Sequence, residues 1–164
     1  MRPPIEIFTD GSSRGNPGPG GYGVILRCGA KEKELSEGFL NTTNNRMELL
    51  GVIVALEAIR WENAEIHLYS DSKYVVDAVN KGWVFGWERK GFAKRLNADL
   101  WRRFLAIYRK HKVTFHWVKG HADTPENNRC DELAVEAAQR VIADPSAGKE
   151  DIGAAQLIEN ETLI

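Results

Sequence analysis

Four acidic residues stand where predicted strands end and predicted helices begin. Asp10 ends the first predicted strand and Asp71 follows the fourth, whereas Glu48 lies in the first turns of one predicted helix and Asp131 in the first half of another. Strand ends and helix starts are where an α/β sheet gathers its functional groups. A solvated carboxylate, or one that favours a helix N-terminus, explains each acid taken alone, so the prediction of chemistry rests on all four together.

Four converging carboxylates predict a site for hard divalent cations. Without a cation the carboxylates repel one another, and their pKa values rise sharply. Ligands that are all oxygen suit magnesium or manganese better than zinc. We therefore expect Mg²⁺, with Mn²⁺ as the alternative, at the place where these acids meet.

The hydrophobic periodicity predicts one α/β domain that positions the acids. Three consecutive strands are followed by alternating strands and helices, which predicts a mixed sheet with helices packed on its faces. In chain order, the predicted strands and helices cover residues 5–10, 22–26, 33–40, 44–60, 64–70, 74–79, 98–111, 113–118 and 125–142. Residues 143–164 have few apolar groups and no periodicity, so we predict a mobile tail outside a domain of residues 1–142.

Residues 18–23 match the G-x-G-x-x-G pattern of dinucleotide-binding proteins and follow a predicted strand. The dinucleotide site needs a helix to begin there, so that its N-terminus can bind the pyrophosphate. The residues that follow are strand formers, Val24, Ile25 and Leu26, and Pro19 lies inside the pattern. We therefore interpret residues 11–20 as a turn-rich loop and reject a dinucleotide site.

Charge is unevenly distributed, although the net charge is only −1. Residues 81–112 hold ten lysines and arginines against two acids, a net charge of +8, whereas residues 126–164 hold nine acids and three bases. A basic face of this kind attracts a polyanion. There is no apolar run long enough for a membrane span and no signal-peptide pattern, and Cys28 and Cys130 show no metal-ligand spacing. We expect reduced thiols in a cytoplasmic, monomeric protein with no membrane partner.

Five blocks of this sequence resemble the bacterial type I ribonuclease H family. The blocks occur in the family's order and span roughly residues 5–140, a match that coincidence does not explain. They read DGS at residues 10–12 with GNPGPGGYG at 15–23, TTNNRMEL at 42–49, DSKYV at 71–75, WVKGHA at 117–122, and PENNRCDELA at 125–134.

The resemblance implies a five-stranded mixed sheet, with its first three strands antiparallel, and an endonuclease that hydrolyses the RNA strand of RNA–DNA hybrids. It implies two metal ions about 4 Å apart when substrate is bound, and products with 5′-phosphate and 3′-hydroxyl ends. The implied ligands are Asp10, Glu48, Asp71 and Asp131. His121 follows a glycine in its loop, and the resemblance makes it a proton carrier or an aid to product release; the alternative is a surface histidine.

The resemblance also implies contacts with both strands of the hybrid. Asn16, Asn44 and Asn45 would read the minor groove, where 2′-hydroxyls distinguish RNA from DNA, and Thr43 would meet a DNA phosphate. Asn16 as a turn residue and Asn44 as a helix cap are the structural alternatives. The remaining expected contacts are Lys73 and a basic, aromatic protrusion with Trp83, Trp87, Arg89, Lys90, Lys94 and Arg95.

This protrusion departs from the family pattern. Gly86 stands where bacterial relatives often carry asparagine, Glu88 places an acid among the bases, and Lys73 replaces a frequent glutamine. The rival functions are another nuclease or transferase of the same superfold and a catalytically weak module that only binds hybrids. The first lacks the blocks at residues 42–49 and 117–122, and the second does not explain a complete set of acids.

Overall fold

The first three strands form an antiparallel half of the sheet. In the computed structural model, which describes residues 2–120 and 124–154, they are β1 (Ile5–Ser13), β2 (Gly18–Cys28) and β3 (Lys31–Thr42). Two parallel strands, β4 (Glu65–Ser70) and β5 (Lys112–Trp117), extend the sheet from β1, so the order is β3-β2-β1-β4-β5. The predicted five-stranded mixed sheet is confirmed.

Helices cover both faces of this sheet. They are α1 (Asn44–Glu57), α2 (Lys73–Asn80), α3 (Trp83–Arg89), α4 (Ala98–Tyr108) and α5 (Pro125–Ala143). Side chains alternate along a strand, so α1 contacts the face that carries Tyr22, and α5 contacts the face of its neighbours Gly21 and Gly23. Since α1 lies between the sheet and α4, it is apolar on nearly all sides. Among the described residues, no helix is long and apolar enough to cross a membrane.

The glycine-rich segment of residues 18–23 lies inside β2, which corrects its interpretation as part of a loop. Gly23 pairs with Asp10 of β1, and α5 crosses this part of the strand. A Cβ on Gly21 would lie 2.8 Å from the carbonyl oxygen of Ala134, so glycine is needed for the close approach of the helix. A strand continues where a dinucleotide site needs a helix, in agreement with its rejection.

The chain beyond α5 returns to the sheet, which corrects the boundary predicted at residue 142. After a 3₁₀ turn (Pro145–Ala147), the carbonyl oxygen of Lys149 accepts a hydrogen bond of 2.8 Å from the backbone of Leu40. Asp151 then binds the buried guanidinium of Arg46 at 2.8 Å. Backbone hydrogen bonds and an ion pair hold this segment, and neither is visible as hydrophobic periodicity. The predicted tail also includes residues 155–164, which lie outside the described residues.

Candidate active site

Three of the four predicted acids meet at the centre of the sheet. Carboxylate oxygens of Asp10, Glu48 and Asp71 all lie within 4.8 Å of one another. Thr9 and Ser70 are partners on the neighbouring parallel strands β1 and β4, so Asp10 and Asp71, which follow them, lie side by side. Since β1 continues to Ser13 and Asp10 pairs with Gly23, the prediction that Asp10 ends the first strand is wrong. Glu48 reaches them from the first turns of α1.

Close packing of α1 on β1 places Glu48 beside Asp10. A Cβ on Gly11 would lie 2.5 Å from the backbone nitrogen of Glu48, so only glycine permits this approach. The start of α1 is fixed by Thr43, whose hydroxyl oxygen accepts a hydrogen bond of 3.2 Å from the backbone of Arg46. The local sequence thus sets both the position and the first turn of the helix that carries Glu48.

Burial and neighbouring acids raise the pKa values of Asp10 and Glu48. Burial raises the pKa of Asp10 from its ordinary 3.8 to about 7, and the charges of Asp71 and Asp131 add to the shift. Burial and the charge of Asp10 also hold the pKa of Glu48 well above its ordinary value. The Oε2 atom of Glu48 is buried and has no hydrogen-bond partner among the described residues. Several carboxylate oxygens and an unpaired acceptor suit a hard divalent cation.

A cleft of about 230 Å³ opens beside these acids. Asp131 lines it from α5, outside the group of three, so the fourth predicted acid faces the same cleft. The lining residues are Asp10, Gly11, Ser12, Asn44, Asp71, Lys119, Gly120, Asn127, Asn128 and Asp131. Sequence reasoning missed Asn127, although its position four residues before Asp131 on a predicted helix was a usable signal.

His121 lies outside the described residues, as do residues 122 and 123. Lys119 and Gly120, which precede it, line the cleft, and a Cβ on Gly120 would lie 3.1 Å from Oδ2 of Asp71. The remaining histidines have other partners. His67 and His116 face each other across β4 and β5 with ring nitrogens 3.0 Å apart, and His111 accepts a hydrogen bond from the backbone of Ala64.

The predicted minor-groove residues gather at the start of α1. The side-chain oxygen of Asn16 accepts a hydrogen bond of 3.0 Å from the backbone of Asn44, which links the β1–β2 turn to the helix. Asn44 and Asn45 are exposed, and Asn44 lines the acidic cleft. The cap of α1 is Thr43, so the proposed cap role of Asn44 is incorrect.

The basic, aromatic segment forms a separate groove. Trp83 is 48% exposed, whereas Trp87 packs its edge on the buried ring of Trp101 and carries the guanidinium of Arg95 4.7 Å above its own ring. Together with Tyr74, these residues line an open groove on the surface. The two predicted tryptophans therefore share a face of α3, although only Trp83 is largely free.

The bases of this segment are available for an external partner. Arg89, Lys90 and Lys94 are exposed and form no ion pair with any residue in the described ranges. Glu88, the acid among them, is bound by both guanidinium nitrogens of Arg109 at 2.6 and 2.7 Å. Arg109, a base outside the segment, thus offsets the weakening of substrate binding that Glu88 was expected to cause.

Lys73 is the first residue of α2, two positions after Asp71. Its ammonium nitrogen is 5.0 Å above the ring of Trp117, which is 46% exposed. The indole nitrogen of Trp117 donates a hydrogen bond of 3.3 Å to the backbone carbonyl of Asp71. Sequence reasoning treated Trp117 only as part of a motif and did not identify this contact.

Comparisons with known proteins agree on one family. The model of the RNase H family matches residues 2–139. A ribonuclease H of Proteus mirabilis is 50% identical over 99% of this chain and its own full length, and one of Desulforamulus reducens is 52% identical over 83% of this chain and 88% of its own. Among solved structures, LC9-RNase H1 superposes with a TM-score of 0.77 at 32% identity over 85% of this chain and 74% of its own. LC11-RNase H1 in complex with an RNA/DNA hybrid gives 0.63 at 27% identity over 84% of this chain and 99% of its own.

Proposed function

The chain belongs to the ribonuclease H family and hydrolyses the RNA strand of RNA–DNA hybrids, and we propose that four acids hold the divalent cations this reaction uses: Asp10, Glu48, Asp71 and Asp131. The observation that carries this assignment is the group of three carboxylates within 4.8 Å, in which the pKa values of Asp10 and Glu48 are raised and Oε2 of Glu48 has no hydrogen-bond partner among the described residues. A group of this kind is unfavourable by itself and becomes favourable around a cation.

The proposed cations are Mg²⁺, with Mn²⁺ as the alternative, and two ions per site when substrate is bound. Asp10, Glu48 and Asp71 would hold one ion, and Asp10 and Asp131, which line the cleft, would hold the other. Bound ions of this class supply an activated nucleophilic water and stabilise charge on the leaving 3′ oxygen. The expected products carry 5′-phosphate and 3′-hydroxyl ends.

The residues of the chain orient the substrate and move protons around this site. Asn44 at the cleft and Asn16 hydrogen-bonded to its backbone are proposed to meet the minor groove together with Asn45, and Thr43 to meet a DNA phosphate. His121 is proposed to carry a proton or to help the product leave. Lys73 is proposed as a further substrate contact beside Asp71.

The protrusion is proposed to hold the DNA strand through Trp83, Trp87 and four bases. Neutralising Arg89, Lys90, Lys94 and Arg95 together is expected to raise KM far more than it lowers kcat, because uniform binding is lost while the chemistry is untouched. Each lost phosphate contact reduces the slope of log affinity against log salt concentration by about 0.7–0.9. We expect that two or three of the four bases make such a contact.

The salt dependence is measured as hybrid affinity from low to moderate salt in a catalytically inactive background. A double variant of the exposed Lys31 and Lys33, at the far end of β3, serves as the control and is expected to keep the parent slope. An unchanged slope in the quadruple variant would mean that these bases only face solvent.

The function itself is tested by incubating the purified chain and Mg²⁺ with an RNA–DNA hybrid, duplex RNA and duplex DNA. Cleavage of the RNA strand of the hybrid alone is the expected result. Hybrid binding without cleavage would support the binding module, and cleavage of duplex DNA would support another nuclease of the superfold. Cys28 and Cys130 are free, which agrees with the proposed cytoplasmic location. The monomeric state stays a prediction, and sedimentation tests it.

A further inference from the structure

Asn127 lines the acidic cleft and has a polar side-chain atom that the fold does not explain. Its amide oxygen is buried, and it has no hydrogen-bond partner among the described residues. An unsatisfied buried acceptor is costly and rare in native proteins, so it calls for a partner that binds later. Because Asn127 lines the same cleft as Asp10 and Asp131, that partner is expected to enter the cleft.

Helix geometry places Asn127 next to Asp131. The two residues are four apart in the first half of α5, so their side chains lie on the same face of the helix, one turn from each other. Pro125 at the start of α5 fixes the first turn, and the backbone of Asn128 closes it with a hydrogen bond of 3.1 Å to Thr124. Asn127 is therefore held on a regular helix and does not depend on a loop for its position.

The charges of the cleft identify a cation as the partner. The other lining side chains include three acids and a single base, Lys119. Asp131 is not one of the three acids that meet within 4.8 Å, and among the described residues we assign Asp10 and Asp131 as the carboxylate ligands of a second ion beside it. The carbonyl oxygen of an asparagine is an ordinary ligand of hard divalent cations. A neutral ligand also adds no further negative charge to an already acidic site.

We propose that the amide oxygen of Asn127 completes, with Asp10 and Asp131, the second of the two divalent-cation sites. This inference rests on the proposed function and adds a ligand that the acids alone do not supply. The second ion is then expected to bind more weakly than the first, because its ligands are two carboxylates and an amide, whereas the first ion has three carboxylates. The affinity of the second ion then depends on Asn127, whereas the affinity of the first does not.

The test counts bound Mn²⁺ by electron paramagnetic resonance of the free ion. Parent and variants are titrated with a bound hybrid whose RNA strand is 2′-O-methylated and verified to stay intact. The parent is expected to bind two ions with different affinities. Asn127→Ala is expected to keep the tighter ion and to bind the weaker one about tenfold less tightly or worse, the size found when a supporting ligand is removed. Asn127→Asp, which adds a carboxylate, is expected to bind it more tightly.

A double-mutant cycle with Asp131→Asn separates a shared ion from two independent effects. The losses caused by Asn127→Ala and Asp131→Asn are expected not to add, because both variants remove ligands of one ion. Gln139→Ala, an exposed change on the same helix, is the matched control and is expected to bind both ions like the parent. Circular dichroism of each variant checks the fold.

Two results would overturn this inference. The first is a weaker site unchanged in both Asn127→Ala and Asn127→Asp, and the second is a parent that binds a single ion at every Mn²⁺ concentration. Failure of the proposed function is separate, since it appears as a parent that does not cleave an unmodified hybrid with Mg²⁺. A parent that cleaves while Asn127→Ala binds ions normally refutes only the role of Asn127.

Discussion

Two groups of charged side chains meet near the start of α1, an ion-pair network around Arg46 and a group of carboxylates around Glu48. Arg46 is 1% exposed, and its guanidinium binds Asp99 at 2.7 Å and Asp151 at 2.8 Å. Two residues later Glu48 lies close to Asp10 and Asp71, so that three carboxylates meet there. The comparison separates a structural ion-pair network from a group of carboxylates that suits a divalent cation.

The pKa shifts favour the charged form in the group around Arg46 and the neutral form of Asp10 and Glu48. Burial disfavours the charge of Arg46, but the hydrogen bonds that its guanidinium donates to Asp99 and Asp151 overcome this effect and hold its pKa above the ordinary value. Burial likewise acts on Asp99, yet Arg46 holds the pKa of that carboxyl below its ordinary value. In the acidic group, burial and like charges act together and raise the pKa of Asp10 to about 7. Hydrogen bonding to a cation, more than burial, therefore distinguishes Asp99 from Asp10.

Breaking the ion-pair network around Arg46 is expected to have the largest effect on stability. Arg46→Met leaves Asp151 buried without its cation, and removing one partner of a buried ion pair costs about 3–5 kcal/mol. Urea unfolding of the metal-free chain measures this loss. Arg103→Met, which breaks an exposed pair with Glu57, is the control and is expected to cost about 1 kcal/mol or less. Similar losses in the two variants would contradict the contrast.

Asp151, in the segment after α5, is expected to contribute less to the free energy of unfolding than Arg46 does. Asp151→Asn removes a charge that binds Arg46 and also accepts a hydrogen bond of 2.6 Å from the hydroxyl of Thr42, at a cost of about 1.5–3 kcal/mol. The neighbouring Glu150→Gln is exposed and is expected to change the free energy of unfolding little. Equal effects of Asp151→Asn and Glu150→Gln on the free energy of unfolding would support the domain boundary that the sequence predicted at residue 142.

Removing a charge from the acidic group is expected to have an effect of opposite sign. The folded pKa of Asp10, about 7, lies above its ordinary 3.8, so ionisation lowers the stability of the metal-free fold. This penalty is absent below about pH 4, grows as the pH rises towards 7 and is complete above it. Asp10→Asn is therefore expected to stabilise the metal-free chain above pH 7 and not at pH 4. Thermal unfolding with a chelator measures the difference, and an equal advantage at both pH values would contradict it.

The sequence predicted those features that depend on neighbouring residues, namely the strands and helices and the positions of the acids on them. Strand alternation and helix periodicity placed the acids at strand ends and in early helical turns, and all four line or adjoin one cleft. The return of Asp151 to Arg46 was not predictable, because it depends on one contact between residues 105 positions apart. The glycines of β2 were misassigned, since their use is packing against α5 and the sequence alone shows only their preference for turns.

Cleavage of an RNA–DNA hybrid by Asp10→Asn across a range of Mg²⁺ concentrations tests the central claim most directly. Asp10 belongs to the group of three acids and also lines the cleft beside Asp131, so its charge is needed for both proposed ions. We expect no Mg²⁺-dependent cleavage at any concentration, while hybrid binding stays measurable because the basic segment is unchanged. Near-normal turnover of this variant at saturating Mg²⁺ would contradict the assignment of the four acids.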